Sequence, residues 1–236
     1  MSSLFVVATP IGNLEDLSRR ALRVLGEVDL IACEDTRQTA KILHTHGLKT
    51  PLTPLHSHNM KKAAGGVLQI LEEGRSVALV TDGGTPGVSD PGAYLVSLAR
   101  ERGVSVVPIP GASALTAILS VAGSPTGTVT FAGFLSIKSG RRRRALEGLL
   151  ARGECLVLFE SPHRILKLLE ELRELAPRRT VVIGREMTKL HEEFLEGFPE
   201  ALLTELSGRP TIKGEFTVLV REEKRVKLIQ QSDDTG

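Results

Sequence analysis

Two loops rich in glycine and proline are the first candidates for chemistry in this sequence. One reads TPIGNL (9–14) and the other reads DGGTPGVSDPG (82–92), and each follows a short apolar run. Glycine permits tight and left-handed turns and proline fixes φ, so such loops can bring main-chain N–H and C=O groups close to a ligand. Either loop alone could be an ordinary strand-to-helix turn. Together they favour a ligand site beyond the carboxyl ends of parallel strands.

Two further loops follow strand-like runs. In PGASA (110–114), Ser113 is placed to begin a helix whose N–H groups would face the same site. In EDTR (34–37), two carboxylates and an arginine lie at a strand end. Asp35 could equally be a helix N-cap there. The residues alone therefore predict a ligand site built from four loops.

The elements that must position these loops alternate between strand and helix. Apolar runs at 4–10, 29–34, 51–56, 76–82 and 105–110 are separated by amphipathic stretches, which predicts an α/β domain with a mostly parallel sheet over residues 1–122. The turn-rich segment 123–129 is a predicted linker.

A second α/β domain is predicted over residues 130–221. Its strands are expected at 130–135, 154–160, 180–186, 192–198 and 214–220, and their close spacing favours a mixed sheet. Helices are expected from Ser139 to Arg152, from Pro162 to Leu175, and up to about Ser207. The polar residues 222–236 are predicted to be a flexible tail.

Composition excludes several classes of protein. Lys and Arg total 30 against 28 Asp and Glu, so a basic site for nucleic acid would have to be a local patch. No GxGxxG or GxxxxGK[ST] motif occurs, and the histidines lack partners at metal-ligand spacing, so no metal is expected. The two cysteines lie within apolar runs, and the sequence shows neither a recognisable leader nor a membrane-spanning segment. These observations predict a cytoplasmic protein in a reducing compartment, with no membrane partner.

Seven segments carry a resemblance to a known family. They are ATPIGNL (8–14), CEDTR (33–37), HSHN (56–59), VTDGGTPGVSDPG (80–92), PIPGASA (108–114), FESPHRI (159–165) and KGEF (213–216). In this order and spacing they resemble the ribosomal RNA small-subunit methyltransferase I group of the tetrapyrrole (corrin/porphyrin) methylase superfamily. The similarity runs from about Leu4 to Val220.

The resemblance implies two α/β domains with S-adenosylmethionine in the cleft between them, usually in a homodimer. It also implies 2′-O-methylation of a cytidine ribose in the decoding region of small-subunit ribosomal RNA. The superfamily's cofactor contacts fall here on Pro10, Asp82, Gly83, Gly84, Thr85, Pro86, Val88, Ser113 and Ala114. Where the wider superfamily has a GDP core in the second loop, this chain has DGGTP.

Three carboxylates at strand ends are candidates for the general base that such a reaction needs: Glu34, Asp35 and Glu160. Each could instead be a cap or an ion-pair partner of Arg37 or Arg164. Within the resemblance, Arg37, His58 and Asn59 are candidates for RNA contact.

The run of Arg141, Arg142, Arg143 and Arg144 near a helix start is a further candidate for RNA contact. These charges oppose the helix dipole unless an anion such as phosphate lies nearby. The alternative is a solvated basic face with Glu147 and Glu154. Aromatic residues make up only 3% of the sequence and Trp is absent, so no stacking platform for bases is expected.

Two other functions remain open. A methyltransferase of the same superfamily that acts on a tetrapyrrole would share the fold and the cofactor. A non-catalytic nucleotide- or RNA-binding module would bind without forming product.

Overall fold

The computed structural model describes residues 2–90, 92–123 and 127–222, which form two α/β domains. In the first, five strands alternate with five helices: β1 (Ser3–Val7), α1 (Arg19–Glu27), β2 (Leu30–Cys33), α2 (Thr36–Thr45), β3 (Leu52–Pro54), α3 (Met60–Glu72), β4 (Val77–Leu79), α4 (Gly92–Glu101), β5 (Ser105–Ile109) and α5 (Ala114–Val121). The strands form a parallel sheet in the order β3-β2-β4-β1-β5. The predicted parallel sheet is confirmed.

Apolar strands explain why helices cover both faces of this sheet. Leu4, Val77 and Leu79 pack into one cluster, whereas Val7 and Ala78 pack into another on the opposite face. Because successive side chains of a strand point to opposite faces, a continuous apolar run requires cover on both sides. The carboxyl ends of the strands are therefore left as the open edge for loops.

The second domain is built on a mixed sheet. Its elements are β6 (Val129–Phe134), α6 (Ser139–Leu150), β7 (Cys155–Glu160), α7 (Ile165–Leu175), β8 (Val181–Arg185), β9 (Glu193–Gly197), α8 (Pro199–Ser207) and β10 (Phe216–Val220). The strand order is β6-β7-β10-β8-β9, with β6 and β7 parallel and the other pairs antiparallel. The predicted mixed sheet is confirmed, and α6 ends at Leu150 rather than at the predicted Arg152.

Helix α5 joins the two domains. Ile118 and Ala122 pack in one buried cluster with Cys155, Val157 and Leu219 of the second sheet. Just beyond it, the Arg221 guanidinium donates to the backbone oxygen of Ala122 at 2.8 Å. The last helix of the first domain therefore covers a face of the second sheet, and this packing holds the two domains against each other.

Parts of two predicted segments fall outside the described residues. These are 124–126 in the predicted linker and 223–236 in the predicted tail. Within the part of the chain that the structure covers, no helix is both long and apolar enough to cross a membrane.

Candidate active site

A cleft of about 730 Å³ lies between the two domains. The first domain lines it with loops that follow β1, β2, β4 and β5, including Ile11, Glu34, Thr81 and Ser89. The second domain lines it with Phe134, Phe159, Glu160, Ser161, Pro162, Lys189, Glu215, Phe216 and Thr217. This volume lies in the range of small-molecule and cofactor sites.

Hydrogen bonds tie the first two glycine-rich loops together. Thr9 N–H donates to Gly84 O at 3.0 Å, and Gly84 N–H donates to Thr9 O at 2.9 Å. The Thr9 hydroxyl donates to Thr81 O at 3.0 Å. Gly84 has φ +88°, and a Cβ there would lie 3.3 Å from Ile11 Cγ2, so glycine suits both the turn and the close approach.

The other two loops connect to the same unit. The Thr85 hydroxyl donates to Ala112 O at 3.1 Å in the loop before α5. Asp82 Oδ1 accepts from Asp35 N–H at 2.9 Å and so links the loop after β4 to the one after β2. Ser113 is the N-cap residue of α5, although its side chain makes no capping hydrogen bond. All four predicted loops therefore meet at one edge of the sheet.

Asp90 fixes the turn in the loop after β4. One carboxylate oxygen accepts from Gly87 N–H at 2.6 Å and from Val88 N–H at 3.0 Å, and the other accepts from Gly92 N–H at 2.8 Å. Ser89, between these residues, has φ +72°, a region that non-glycine residues seldom adopt. The Asp90 carboxylate therefore holds an otherwise unfavourable conformation in place.

Eight of the nine residues predicted to hold the cofactor line the cleft: Pro10, Asp82, Gly83, Gly84, Thr85, Val88, Ser113 and Ala114. Pro10 and Asp82 share one cavity despite their distance along the chain. Pro86 is buried and is not among the residues that line the cleft. Its contact with the cofactor therefore stays a prediction.

The structure separates the three candidate bases by environment. Glu34 lines the cleft, and burial, followed by the nearby Asp82 and Asp90 carboxylates, raises its pKa. Asp35 is the N-cap of α2 and accepts from Arg37 N–H, and hydrogen bonds from the Arg37 side chain lower its pKa to about 2. Glu34 is thus better suited to accept a proton at neutral pH.

Glu160, the third candidate base, lies at the end of β7. It lines the cleft, but only 1% of its side chain is exposed. Its Oε1 atom accepts from Arg164 Nε at 2.6 Å and from Ser161 N–H at 2.8 Å. Arg164 also donates to Leu135 O at 3.1 Å. The ion pair left open by the sequence is present, and it orders the loop after β7.

The four consecutive arginines do not form one basic patch. Arg142 has only 5% of its side chain exposed and donates to Glu171 Oε1 at 2.9 Å. The Arg143 side chain is half-buried and pairs with Glu147 and Glu174. Because one face of α6 packs against α7, the predicted RNA contact of Arg142 is wrong, and Arg143 is engaged within the protein. Arg141 and Arg144 are exposed.

The remaining candidates for RNA contact lie outside the cleft lining. The Arg37 side chain is 86% exposed while it pairs with Asp35, and His58 is exposed. The Asn59 side chain accepts from His56 N–H and donates to Pro54 O, both at 2.9 Å. Asn59 therefore closes the turn before α3, and its amide is already used.

Lys189 is a cleft residue that the sequence reading missed. Its ammonium group pairs with Glu186 at 2.9 Å and with Glu215 at 3.1 Å. The preceding Thr188 has φ +67°. A Cβ at Gly12 would lie 2.4 Å from Lys189 Cγ, so glycine there lets the two domains touch at this rim of the cleft. The sequence around Lys189 carries no signal comparable to the glycine-rich loops.

The cleft suits the cofactor that the resemblance implies. Burial raises the pKa of Glu34, and charge repulsion from Asp82 and Asp90, which line the same cleft, raises it further. A cationic ligand among them would relieve this repulsion. S-adenosylmethionine carries a sulfonium and an ammonium group, and the apolar Pro10, Ile11 and Val88 of the same cleft suit its uncharged parts.

Comparisons with known proteins agree with this arrangement. The family model of the Tetrapyrrole (Corrin/Porphyrin) Methylases matches residues 3–202. Ribosomal RNA small subunit methyltransferase I of Leptospira biflexa is 45% identical over 233 residues, covering 98% of this chain and 95% of that protein. The protein of the same name from Thermotoga maritima is 43% identical, covering 93% of this chain and 98% of that protein. The resemblance read from the motifs is thus confirmed.

Solved structures share the two-domain fold. Cobalt precorrin-4 methyltransferase has a TM-score of 0.70 at 17% identity, covering 93% of this chain and 94% of that one. Uroporphyrin-III C-methyl transferase from Thermus thermophilus, complexed with S-adenosyl homocysteine, has a TM-score of 0.64 at 20% identity, covering 92% of this chain and 97% of that one. The chain therefore belongs to the tetrapyrrole (corrin/porphyrin) methylase family and is a methyltransferase that uses S-adenosylmethionine.

Proposed function

We propose that this enzyme methylates the ribose 2′-hydroxyl of a cytidine in the decoding region of small-subunit ribosomal RNA. The observation that carries the proposal is the 45% identity, over 98% of the chain, to a protein named ribosomal RNA small subunit methyltransferase I. The motifs CEDTR, HSHN and FESPHRI, which contribute Glu34, His58 and Glu160, support a ribosomal rather than a tetrapyrrole substrate because they resemble that group.

Positioning is the main task of the cleft. When bound, S-adenosylmethionine would supply a methyl group attached to a cationic sulfur. The acceptor oxygen must approach the methyl carbon from the side opposite the carbon–sulfur bond, which breaks as the new bond forms. Hydrogen bonds of Thr9, Gly84 and Thr85 hold the loops after β1, β4 and β5 together, so these loops form one wall of the cofactor site before the cofactor binds. Correct placement of two reactants can lower a barrier by roughly 7–11 kcal/mol.

Glu34 is the general base in this proposal. The 2′-hydroxyl must lose a proton as the new bond forms, and a carboxylate with a raised pKa accepts that proton more readily than an ordinary one. General bases typically contribute about 10²–10⁴-fold to a rate. This contribution is smaller than that of positioning, so a variant without the carboxylate should be slow rather than inert.

RNA contacts outside the cleft fall to exposed basic residues. The guanidinium groups of Arg141, Arg144 and Arg37 lie at the surface, and His58 is exposed in the turn that precedes α3. Phosphate contacts by such residues supply affinity that falls with salt concentration and carry no sequence information. We assign them to docking of the ribosomal substrate.

The enzyme is proposed to act as a homodimer in the cytoplasm. The family resemblance supports the homodimer, and the free, buried Cys33 and Cys155 support a reducing compartment. Val121 and Phe194 are 55% and 42% exposed, and these apolar side chains supply surface that a second copy would cover. Sedimentation at micromolar concentration tests the dimer, and a monomer there would contradict it.

One labelling experiment tests the proposed function. The purified enzyme is given methyl-labelled S-adenosylmethionine with unmethylated small ribosomal subunits, and in parallel with a porphyrinogen. We expect label in the ribosomal RNA only. Label in the porphyrinogen would assign the tetrapyrrole function, and label in neither, with the cofactor bound, would indicate a binding module.

A further inference from the structure

An exposed aromatic ring stands at the mouth of the cleft. Phe134 ends strand β6 and lines the cleft, yet it is 57% exposed. Phe159, at the end of the neighbouring strand β7, lines the same wall. Large apolar side chains that remain exposed beside a ligand cleft are typical of binding surfaces. The low aromatic content predicted no stacking platform for bases, and this pair departs from that expectation.

A β-bulge directs the Phe134 ring to this wall. The register between β6 and β7 runs Phe131↔Val157, then Gly133↔Leu158 and Phe134↔Phe159, so Ala132 is the extra residue. Without the bulge, Gly133 would lie opposite Phe159. Gly133 has φ +58°, which glycine adopts readily. The irregularity therefore places the two phenylalanines side by side.

The ring has support from behind. Phe134 packs edge-to-face on Phe159 with ring centroids 5.6 Å apart, and Phe159 packs in the same manner on Phe131 at 4.9 Å. Phe131 and Phe159 are half-buried. A side chain held in this way presents a fixed apolar surface to the cleft.

The backbone beside Phe134 lies next to the loop predicted to bind the cofactor. A Cβ at Gly133 would lie 2.4 Å from the Ser89 hydroxyl, so the backbone beside Phe134 touches the loop after β4. Ser89 also lines the cleft. A nucleotide held in the cleft beside the loop after β4 would therefore have its base within reach of Phe134, which lines the same cleft.

We propose that Phe134, backed by Phe159, is the stacking platform for the base of the acceptor nucleotide. This inference rests on the proposed function. A nucleotide of RNA that enters an enclosed cleft leaves its neighbours in the stack, and an aromatic face can replace the lost stacking. The adenine of the cofactor is the other base that could use this ring, so the test must separate the two.

Three variants make the test. Phe134→Ala removes the ring and Phe134→Tyr retains it. Phe198→Ala is the matched control, because Phe198 is 54% exposed in the same domain and is not among the residues that line the cleft. For each, kcat/KM is measured with small ribosomal subunits, the cofactor Kd by calorimetry, and folding by thermal melting.

We expect Phe134→Ala to lower kcat/KM by about 5- to 150-fold, the equivalent of one base stacked on an aromatic ring. The cofactor Kd should be unchanged, and Phe134→Tyr and Phe198→Ala should match the wild type. An unchanged kcat/KM in Phe134→Ala would overturn the inference, and so would a parallel loss of cofactor affinity. If the wild type itself leaves the subunits unmethylated, the proposed function fails instead.

Discussion

Replacement of Arg142 by Met should destabilise the fold and leave RNA docking intact. The Arg142 and Glu171 side chains are each 5% exposed, and their charged atoms are 2.9 Å apart. Met fills much of the space of Arg but leaves the Glu171 carboxylate buried without its partner. Breaking a buried pair in this way costs about 3–5 kcal/mol.

The expected loss is large enough to measure by thermal melting. For a chain of this size each kcal/mol lowers the melting temperature by roughly 2–4 °C, so Arg142→Met should melt roughly 6–20 °C lower. Arg144→Met is the control, because Arg144 is exposed on the same helix and surface changes usually stay within about 0.5 kcal/mol.

A double variant separates loss of charge pairing from loss of packing. Arg142→Met with Glu171→Leu leaves no buried charge at this site, and such replacements of a buried pair are often neutral or stabilising. We expect it to recover most of the lost melting temperature. The reasoning is refuted if Arg142→Met melts within about 2 °C of the wild type, or if the double variant is no more stable than Arg142→Met.

Four further predictions test the cleft and its surroundings. Glu34→Gln should lower kcat about 10²–10⁴-fold while the variant still binds the cofactor. Because the pKa of Glu34 is raised in the folded protein, its protonated form stabilises the fold relative to its ionised form, and this stability is lost as pH rises. Gln carries no charge, so Glu34→Gln should melt above the wild type at pH 7 but not at pH 4. A lower melting temperature at pH 7 would contradict this. Asp35→Asn should keep turnover within a few-fold of the wild type. In the wild type the ionised Asp35 stabilises the fold above its ordinary pKa, and this stability is lost as pH falls towards 2; the variant should lack it. A large loss of turnover would restore Asp35 as the base. Gly12→Val should cost about 1–3 kcal/mol in thermal unfolding, because a Cβ there would lie 2.9 Å from a backbone oxygen of the second domain; a wild-type melting curve would refute the close approach. Arg141→Ser with Arg144→Ser should weaken subunit binding and flatten its salt dependence, and an unchanged slope would remove these residues from the interface.

Local sequence patterns predicted the elements well. The apolar runs that became β1, β4 and β7 are continuous because both of their faces are covered, and such runs are recognisable in one dimension. The glycine-rich loops were also recognisable, because φ near +88° at Gly84 and Gly87 demands a particular residue type. Eight of the nine cofactor residues that the family resemblance implied line the cleft.

Contacts between elements that are distant in the chain could not be predicted from the sequence. The pairing of Arg142 with Glu171 depends on which face of α6 packs against α7, and four consecutive arginines cover every direction around a helix. Lys189 lines the cleft beside Gly12, where the absence of a side chain allows the two domains to touch. The position of Phe134 depends on a bulge one residue long, which composition does not reveal.

The position of the transferred methyl group tests the central proposal most directly. Small ribosomal subunits labelled by the enzyme are extracted, and their RNA is hydrolysed in alkali, which cleaves beside a free 2′-hydroxyl but not beside a methylated one. The account predicts that the label stays in an alkali-resistant dinucleotide that begins with cytidine, from the decoding region. Label recovered in single nucleotides would place the methyl group on a base and contradict the account.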